Sequence, residues 1–296
     1  MHFITAKSIL SSQNGMNLCR GCLHGCIYCD SRSSCYRMAH AFTDIAVKRN
    51  ALCLLERALR KKRAPCMIGT GSMSDPYQPL AESLALTRGA LELLDRYGFG
   101  ATLITKSDRV LGDLDLFRSI HSRSRCVVQM TLTTHDDALC RLIEPNVCPT
   151  SARVTALCRL REAGIPTVVW LSPILPYLND TAENIEALLA SCAAAGVWGV
   201  VCFGMGLTLR EGSREYFYDR LDRLFPGLRE RYERRYGSRY IVESPRNGEL
   251  MSLFHARCDR YGIVHDNETI FRFLRAFPGD AAPEQMSFWK EREESS

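Results

Sequence analysis

The sequence predicts an α/β fold, a partial (β/α)6 TIM-like barrel over residues 1–206 with a helical and irregular C-terminal extension over 207–296. Three observations carry this reading. From residue 66 onward, short β-rich runs alternate with amphipathic helical stretches, the pattern of parallel βαβ units. Nearly every β-rich run ends in polar or Gly-rich residues, and parallel α/β folds place their ligands at the carboxyl ends of the strands. The chain has 296 residues, a length that one barrel reaches as a single unit. Periodicity alone leaves a flat doubly wound sheet open, and six units suit an open barrel better.

Taken in order, a first strand is expected at MNLCR (16–20). A helical stripe of Ile45, Leu52, Leu55 and Leu59 follows, with Thr43 as its expected N-cap. The further strands are CMIGT (66–70), ATLIT (101–105), CVVQMTL (126–132), TVVWLS (167–172) and GVVCFG (199–204). Helices are expected over 84–97, 110–121, 152–163 and 182–195. The last shows the signal well, with Ile185, Leu188, Leu189 and Cys192 at i, i+3, i+4 and i+7. After about residue 207 the alternation is lost, and the polar end KEREESS is expected to fray.

Composition narrows the function classes. With 46% apolar and 24% charged residues, the chain can bury a sizeable core. It lacks both a run of about 18 apolar residues and the pattern of a signal peptide, so a cytoplasmic protein with no membrane partner is expected. Fourteen cysteines in that compartment argue for metal or redox chemistry rather than disulfides. Cys53, Cys158 and Cys192 lie at apolar helical positions and read as small core residues. Residues 1–65 carry eleven Lys or Arg against Asp30, Asp44 and Glu56, a surplus of +8 in a chain of net charge +5. The densest run, Arg60 to Arg63, closes a helix, where cations oppose the helix dipole. The arginines from Arg210 to Arg239 alternate with acids and read as paired charges on exposed helix faces.

The chemistry sits in NLCRGCLHGCIYCDSR, where Cys22, Cys26 and Cys29 have the spacing C-x3-C-x2-C within a loop over 19–35. Three thiolates on one tight loop hold three corners of a 4Fe-4S cluster and leave the fourth iron open for chemistry. Cys19 offers a fourth thiolate, which keeps two alternatives in view, a structural zinc site and a fully ligated ferredoxin-like carrier. Zinc ribbons separate their C-x2-C knuckles by about a dozen residues or more, whereas here the gap is three. Cys19 is read instead as an inward-facing strand residue, His24 as a loop residue, and His135 with Asp136 and Asp137 as a helix cap.

With Tyr28 before the third cysteine, this motif resembles that of the radical S-adenosylmethionine (radical SAM) superfamily. Together, GCLHGCIYCDSRS, GTGSMSDPYQPLAE, LTR at 86–88, ITKS at 104–107, IEPNVCPTSAR and LSPILPYLND resemble the spore photoproduct lyase-like, or DNA repair photolyase-like, branch over about residues 14–205. The resemblance implies an oxygen-sensitive enzyme with a 4Fe-4S cluster and S-adenosyl-L-methionine, reduced by an external flavodoxin- or ferredoxin-like one-electron donor. In such enzymes the sulfonium C5′–S bond is split and a 5′-deoxyadenosyl radical takes hydrogen from the substrate. By motif, Tyr28 is expected beside the adenine, Ser74 near the methionine amino group, Lys106 on the carboxylate and Thr131 on the same cofactor. The repair lyases of the branch carry a hydrogen-donating cysteine just before the Ser-Asp pair. This chain has Met73 there, so the thymine-dimer reaction is not implied, and Cys35 and Cys148 are the remaining loop thiols. The substrate is left open, with nucleic acid as one class. An iron-sulfur electron carrier or a metal-stabilised nucleic-acid-binding module is the alternative function.

Overall fold

The computed structural model describes residues 1–278, so the expected fraying of KEREESS lies outside the described residues. In chain order the first elements are β1 (His2–Ile4), β2 (Gly15–Met16), β3 (Cys19–Arg20), β4 (Ala46–Lys48) and α1 (Ala51–Lys61). The repeating units follow as β5 (Met67–Thr70), α2 (Ala81–Tyr97), β6 (Gly100–Thr105), α3 (Leu114–Arg123), β7 (Cys126–Thr131), α4 (Asp137–Ile143), α5 (Thr150–Glu162), β8 (Thr167–Trp170), α6 (Ala182–Ala194) and β9 (Gly199–Val201). Beyond them come β10 (Gly206–Thr208), α7 (Ser213–Leu224), α8 (Leu228–Tyr236), β11 (Ile241–Glu243), α9 (Asn247–Tyr261) and α10 (Asn267–Arg275).

The main sheet has six parallel strands in the order β2-β5-β6-β7-β8-β9. Each βα unit therefore adds its strand beside the previous one, as in a partial barrel. Strand alternation sorts the side chains into two layers. Ile68, Leu103, Val128, Val169 and Val200 join the helix-facing core with Leu55, Leu91, Phe117, Leu157 and Leu188. On the other face Met67, Val127, Val168 and Val201 pack against Ile270 and Leu274 of α10. Both faces of β7 are buried along its whole length, which accounts for the mostly apolar character of CVVQMTL, broken only by Gln129 and Thr131.

Several expectations are corrected by pairing that sequence periodicity does not reveal. The MNLCR strand is two strands: β2 joins the main sheet beside β5, and β3 turns away to pair antiparallel with β4. Ile45 belongs not to a helix but to the lead-in of β4, which runs parallel to β1, so α1 starts at Ala51 with Asn50 rather than Thr43 at its N-cap. The helix expected over 110–121 begins as a 3-10 turn, Asp108–Asp113, and becomes α-helical only at Leu114. Cys53 is exposed, whereas Cys192 is buried with Ile185, Leu188 and Leu189. Cys19 faces the main core as expected.

The chain beyond β9 is more than a helical appendage. Its antiparallel pair β10-β11 and helices α7 and α8 supply Leu207, Leu209, Phe217, Leu221, Tyr232 and Val242 to a second core. The partners in that core are Cys26, Ile27 and Tyr28. Helix α9 lays Leu250, Phe254 and Cys258 against the core face of α6. Among the described residues, no helix is long and apolar enough to cross a membrane.

Candidate active site

Alternation along the parallel strands decides which side chains reach the carboxyl-end mouth of the barrel. On β6 the inner positions run Thr102, Ile104, Lys106; on β7 they run Val127, Gln129, Thr131. Below the mouth they are tied by a polar ladder, with Gln129 donating to Thr102 Oγ1 (2.8 Å) and the Trp170 indole donating to Gln129 (2.8 Å). Above it opens a cleft of about 730 Å³. Cys22, Cys26, Cys29, Tyr28, Ser74, Lys106 and Thr131 all line this cleft, although they come from four separate segments. Met73, Trp170, Phe203, Tyr240 and Glu243 complete its rim and walls.

The cysteine loop is clamped from both sides. On one side Ser74 donates to the Gly21 carbonyl (2.6 Å), Gln78 donates to Ser74 Oγ (3.2 Å) and the Leu23 amide donates to Gln78 Oε1 (2.9 Å). On the other, the loop after α4 receives it. The Asn146 amide donates to the His24 carbonyl (3.1 Å), the Asn146 side chain donates to the Leu23 carbonyl (2.7 Å), and the Ile27 amide donates to the Ile143 carbonyl (3.0 Å). Gly21 has φ +88°, and a Cβ there would lie 2.4 Å from the Phe42 carbonyl oxygen. Only glycine lets the loop pass so close to that backbone.

Asp75 links strand ends that the sequence motif merely lists together. Its carboxylate accepts from the Tyr77 amide (2.8 Å), Thr105 Oγ1 (2.7 Å) and the Lys106 amide (2.8 Å), which sets the lysine's backbone against the cysteine loop. His24 is no ordinary loop residue. It is buried, its Nδ1 stands 3.4 Å from Asp75, and its Nε2 has no hydrogen-bond partner. Burial holds its pKa below the ordinary value despite the Asp75 carboxylate.

Sequence reading missed a buried pair behind this wall. Glu144 and Arg153 have completely buried, ion-paired side chains. The Tyr28 hydroxyl donates to the other Glu144 oxygen, and Arg153 also donates to the carbonyls of Thr131 (3.0 Å) and Cys148 (3.1 Å). One carboxylate thus joins the cysteine loop, the end of β7 and the start of α5. Burial opposes ionisation of Glu144, but the Arg153 and Lys106 cations outweigh it and hold the carboxyl below its ordinary value. Burial and this carboxylate push the Tyr28 phenol well above its ordinary value, so it remains a donor. The available signal was IEPNVCPTSAR, whose Glu and Arg nine residues apart gave no periodic cue for pairing.

The Lys106 ammonium sits 5.8 Å from the centre of the Tyr28 ring. Burial lowers its pKa, yet a Cys26 thiolate and the Glu144 carboxylate raise it further, so the net shift is upward and the group is a fixed cation. Burial pushes the Cys22 thiol up to about 12 and Cys26 well above its ordinary value, so metal binding there releases protons. Three thiols beside a fixed cation, a loop held by hydrogen bonds from both sides and one orphaned imidazole nitrogen fit a cluster with a further anionic ligand. Of the other loop thiols, Cys35 meets Arg210 at the surface and Cys148 donates to the Lys106 carbonyl (3.3 Å). Neither lines the cleft. Asp136 caps α4 as expected, accepting from Ala138 and Leu139.

No family model matches the chain. An uncharacterized protein of Mycobacterium tuberculosis is 33% identical over 230 residues, 73% of this chain and 65% of that protein. The chain therefore spans just under two thirds of that relative. Among solved structures, a spore photoproduct lyase variant superposes with TM-score 0.65 at 14% identity, over 89% of this chain and 80% of that one. A radical SAM methyltransferase from Kitasatospora setae, with tryptophan and a SAM analog bound, gives TM-score 0.51 at 14% identity, over 84% and 51%.

Proposed function

We propose, from a fold shared with spore photoproduct lyase and a radical SAM methyltransferase, that this chain is a radical SAM enzyme. In this reading Cys22, Cys26 and Cys29 hold a 4Fe-4S cluster, and Tyr28, Ser74, Lys106 and Thr131 receive S-adenosylmethionine. The observation that carries it is convergence: all seven residues line one cleft at the carboxyl ends of parallel strands. When bound, the cluster and S-adenosylmethionine supply reductive cleavage of the sulfonium and a 5′-deoxyadenosyl radical. An external one-electron donor is the partner this chemistry needs.

The chain's own residues bind, orient and exclude water. Lys106 presents a point charge for a carboxylate. Among the described residues, no salt bridge or hydrogen bond engages its ammonium. Tyr28 cannot swing freely, because its hydroxyl is committed to Glu144, so its ring is a fixed wall for a planar group. Ser74 donates to Gly21 and keeps a lone pair to accept from an ammonium. Ile104, Trp170, Met205 and Leu207 give the cleft apolar walls, which keep a reactive species from water.

The rim bears on the substrate. Phe203 is 64% exposed, 6.1 Å from Phe271 and 6.0 Å from Trp170. Tyr240 is also exposed, with the Arg210 guanidinium 4.9 Å from its ring. Exposed aromatic faces beside a cation suit a nucleobase, which favours nucleic acid as the substrate class. Met73 lines the cleft, its sulfur 3.9 Å from Ser31 Oγ, and has no S–H to return hydrogen to a thymine radical. Dithionite-reduced, anaerobically reconstituted protein is therefore expected to form 5′-deoxyadenosine from S-adenosylmethionine and to leave spore photoproduct in an oligonucleotide unrepaired. Cluster-loaded protein that forms none would return the reading to an electron carrier or a nucleic-acid-binding module.

A further inference from the structure

We propose that His2, His40 and Asp44 form a site for a divalent first-row transition metal, away from the cleft, that ties strand β1 to the segment behind the cysteine loop. The three residues are brought together by β-pairing. Strand β1 runs parallel to β4 with His2 opposite Ala46, and the His2 amide donates to the Ile45 carbonyl (2.9 Å). That register sets His2 beside the 40–44 turn, which is closed by the Asp44 amide donating to the Ala41 carbonyl (2.9 Å).

One ligand atom from each residue lies within 4.8 Å of the others. His2 Nδ1 stands 3.0 Å from Asp44 Oδ2, and the two imidazoles meet edge to face with centroids 4.8 Å apart. Zinc–nitrogen and zinc–oxygen bonds of about 2.0–2.2 Å put the ligands of one ion roughly 3.3–3.5 Å apart. Small side-chain rotations close the remaining gap, since all three side chains are only half buried. His40 Nδ1 stands 3.1 Å from the Ala41 carbonyl. A backbone acceptor there fixes the tautomer that leaves Nε2 free as a ligand. Asp44 Oδ1 is engaged by the Met1 amino group (2.8 Å), leaving Oδ2 on the histidine side. Two imidazoles and a carboxylate suit zinc, copper, nickel or iron rather than magnesium or calcium.

Occupancy would stiffen the turn that carries Phe42. The Phe42 carbonyl accepts from the Cys22 amide (3.3 Å), and its ring lies under the Arg32 guanidinium at 4.3 Å. The site therefore braces the backbone of the first cysteine without touching its sulfur.

The test uses full-length, cluster-loaded protein held anaerobically and titrated with Co2+, then with Zn2+ as competitor. The wild type is expected to bind one Co2+ with the weak visible bands of nitrogen and oxygen ligands and no thiolate charge-transfer band, and Zn2+ should displace it. His40→Ala and Asp44→Asn should each weaken binding about tenfold or more, with metal-free melting temperatures close to wild type. Undiminished binding by both variants, or a spectrum showing thiolate ligands, would overturn the proposal. As a check that needs no variant, Zn2+ should shield His2 and His40 of the wild type from diethyl pyrocarbonate. Modification at the same rate with and without Zn2+ would equally overturn it.

Discussion

Replacing Glu144 with Gln tests the pair that orients the site. The substitution keeps the side-chain volume and removes one charge, leaving the Arg153 guanidinium buried without its counterion, since both side chains are fully buried. Breaking a buried pair from one side costs about 3–5 kcal/mol. At about 2–4 °C per kcal/mol for a domain of this size class, that is a fall in Tm of about 6–20 °C. The assay is thermal and urea unfolding of the metal-free protein, followed by circular dichroism under anaerobic conditions. A pH series supplies an independent arm. The folded pKa of Glu144 lies below its ordinary value, so the pair's contribution is complete above the unfolded value of about 4.3 and is lost as pH falls through the folded pKa. The gap between wild type and Glu144→Gln should therefore be constant near neutrality and narrow below about pH 4. A gap under about 1 kcal/mol at pH 7, the range of exposed ion pairs, would refute the reasoning.

Cys22→Ala, Cys26→Ala and Cys29→Ala should each abolish the cluster, read as bound iron and visible absorption, while Cys19→Ala, which alters a core position, should keep it; equal iron loss in Cys19→Ala would point to four thiolate ligands. Lys106→Ala should weaken S-adenosylmethionine binding by about ten- to a hundredfold, since a charge-assisted contact contributes roughly 1.5–3 kcal/mol; an unchanged affinity by calorimetry would remove Lys106 from the site. Gly71→Ala should lower stability by more than Gly98→Ala in urea titrations. Both glycines have positive φ, at +100° and +71°, but a Cβ at Gly71 would lie 2.1 Å from the Ile104 carbonyl oxygen, whereas at Gly98 it meets nothing within 4 Å. The αL strain alone is of order 1–3 kcal/mol, so equal losses would mean that the close approach of β5 to β6 is not rigid.

Much of the barrel was legible because its signals are local. Strands β5 to β9 coincide with the expected runs, although β6 starts one residue early, at Gly100, and β7, β8 and β9 end one to three residues early. The periodic face of α6 is the buried one. The elements that failed to show were those whose identity depends on a distant partner. Ile45 fits a helical stripe as well as extended chain, and only β1 alongside, whose His2 amide donates to the Ile45 carbonyl, sets it as the lead-in to β4. The split of MNLCR into β2 and β3 has the same cause, since successive halves pair with different sheets. Cys53 fell on an apolar helical stripe yet is exposed, because period alone does not say where the covered face ends.

The sequence by itself determined the residue types of the cysteine loop, their tight spacing and the polar strand ends of the barrel, since side-chain chemistry and chain spacing are properties of the sequence. What only the tertiary structure decided was convergence. The Glu144–Arg153 pair behind Tyr28, the Asp75 carboxylate spanning two strand ends and the second core formed on the cysteine loop by α7, α8, β10 and β11 all join residues far apart in the chain. Such contacts follow from which faces remain to be covered once the sheet has formed, and burying those charges and apolar faces is favourable only where all the partners are already in place.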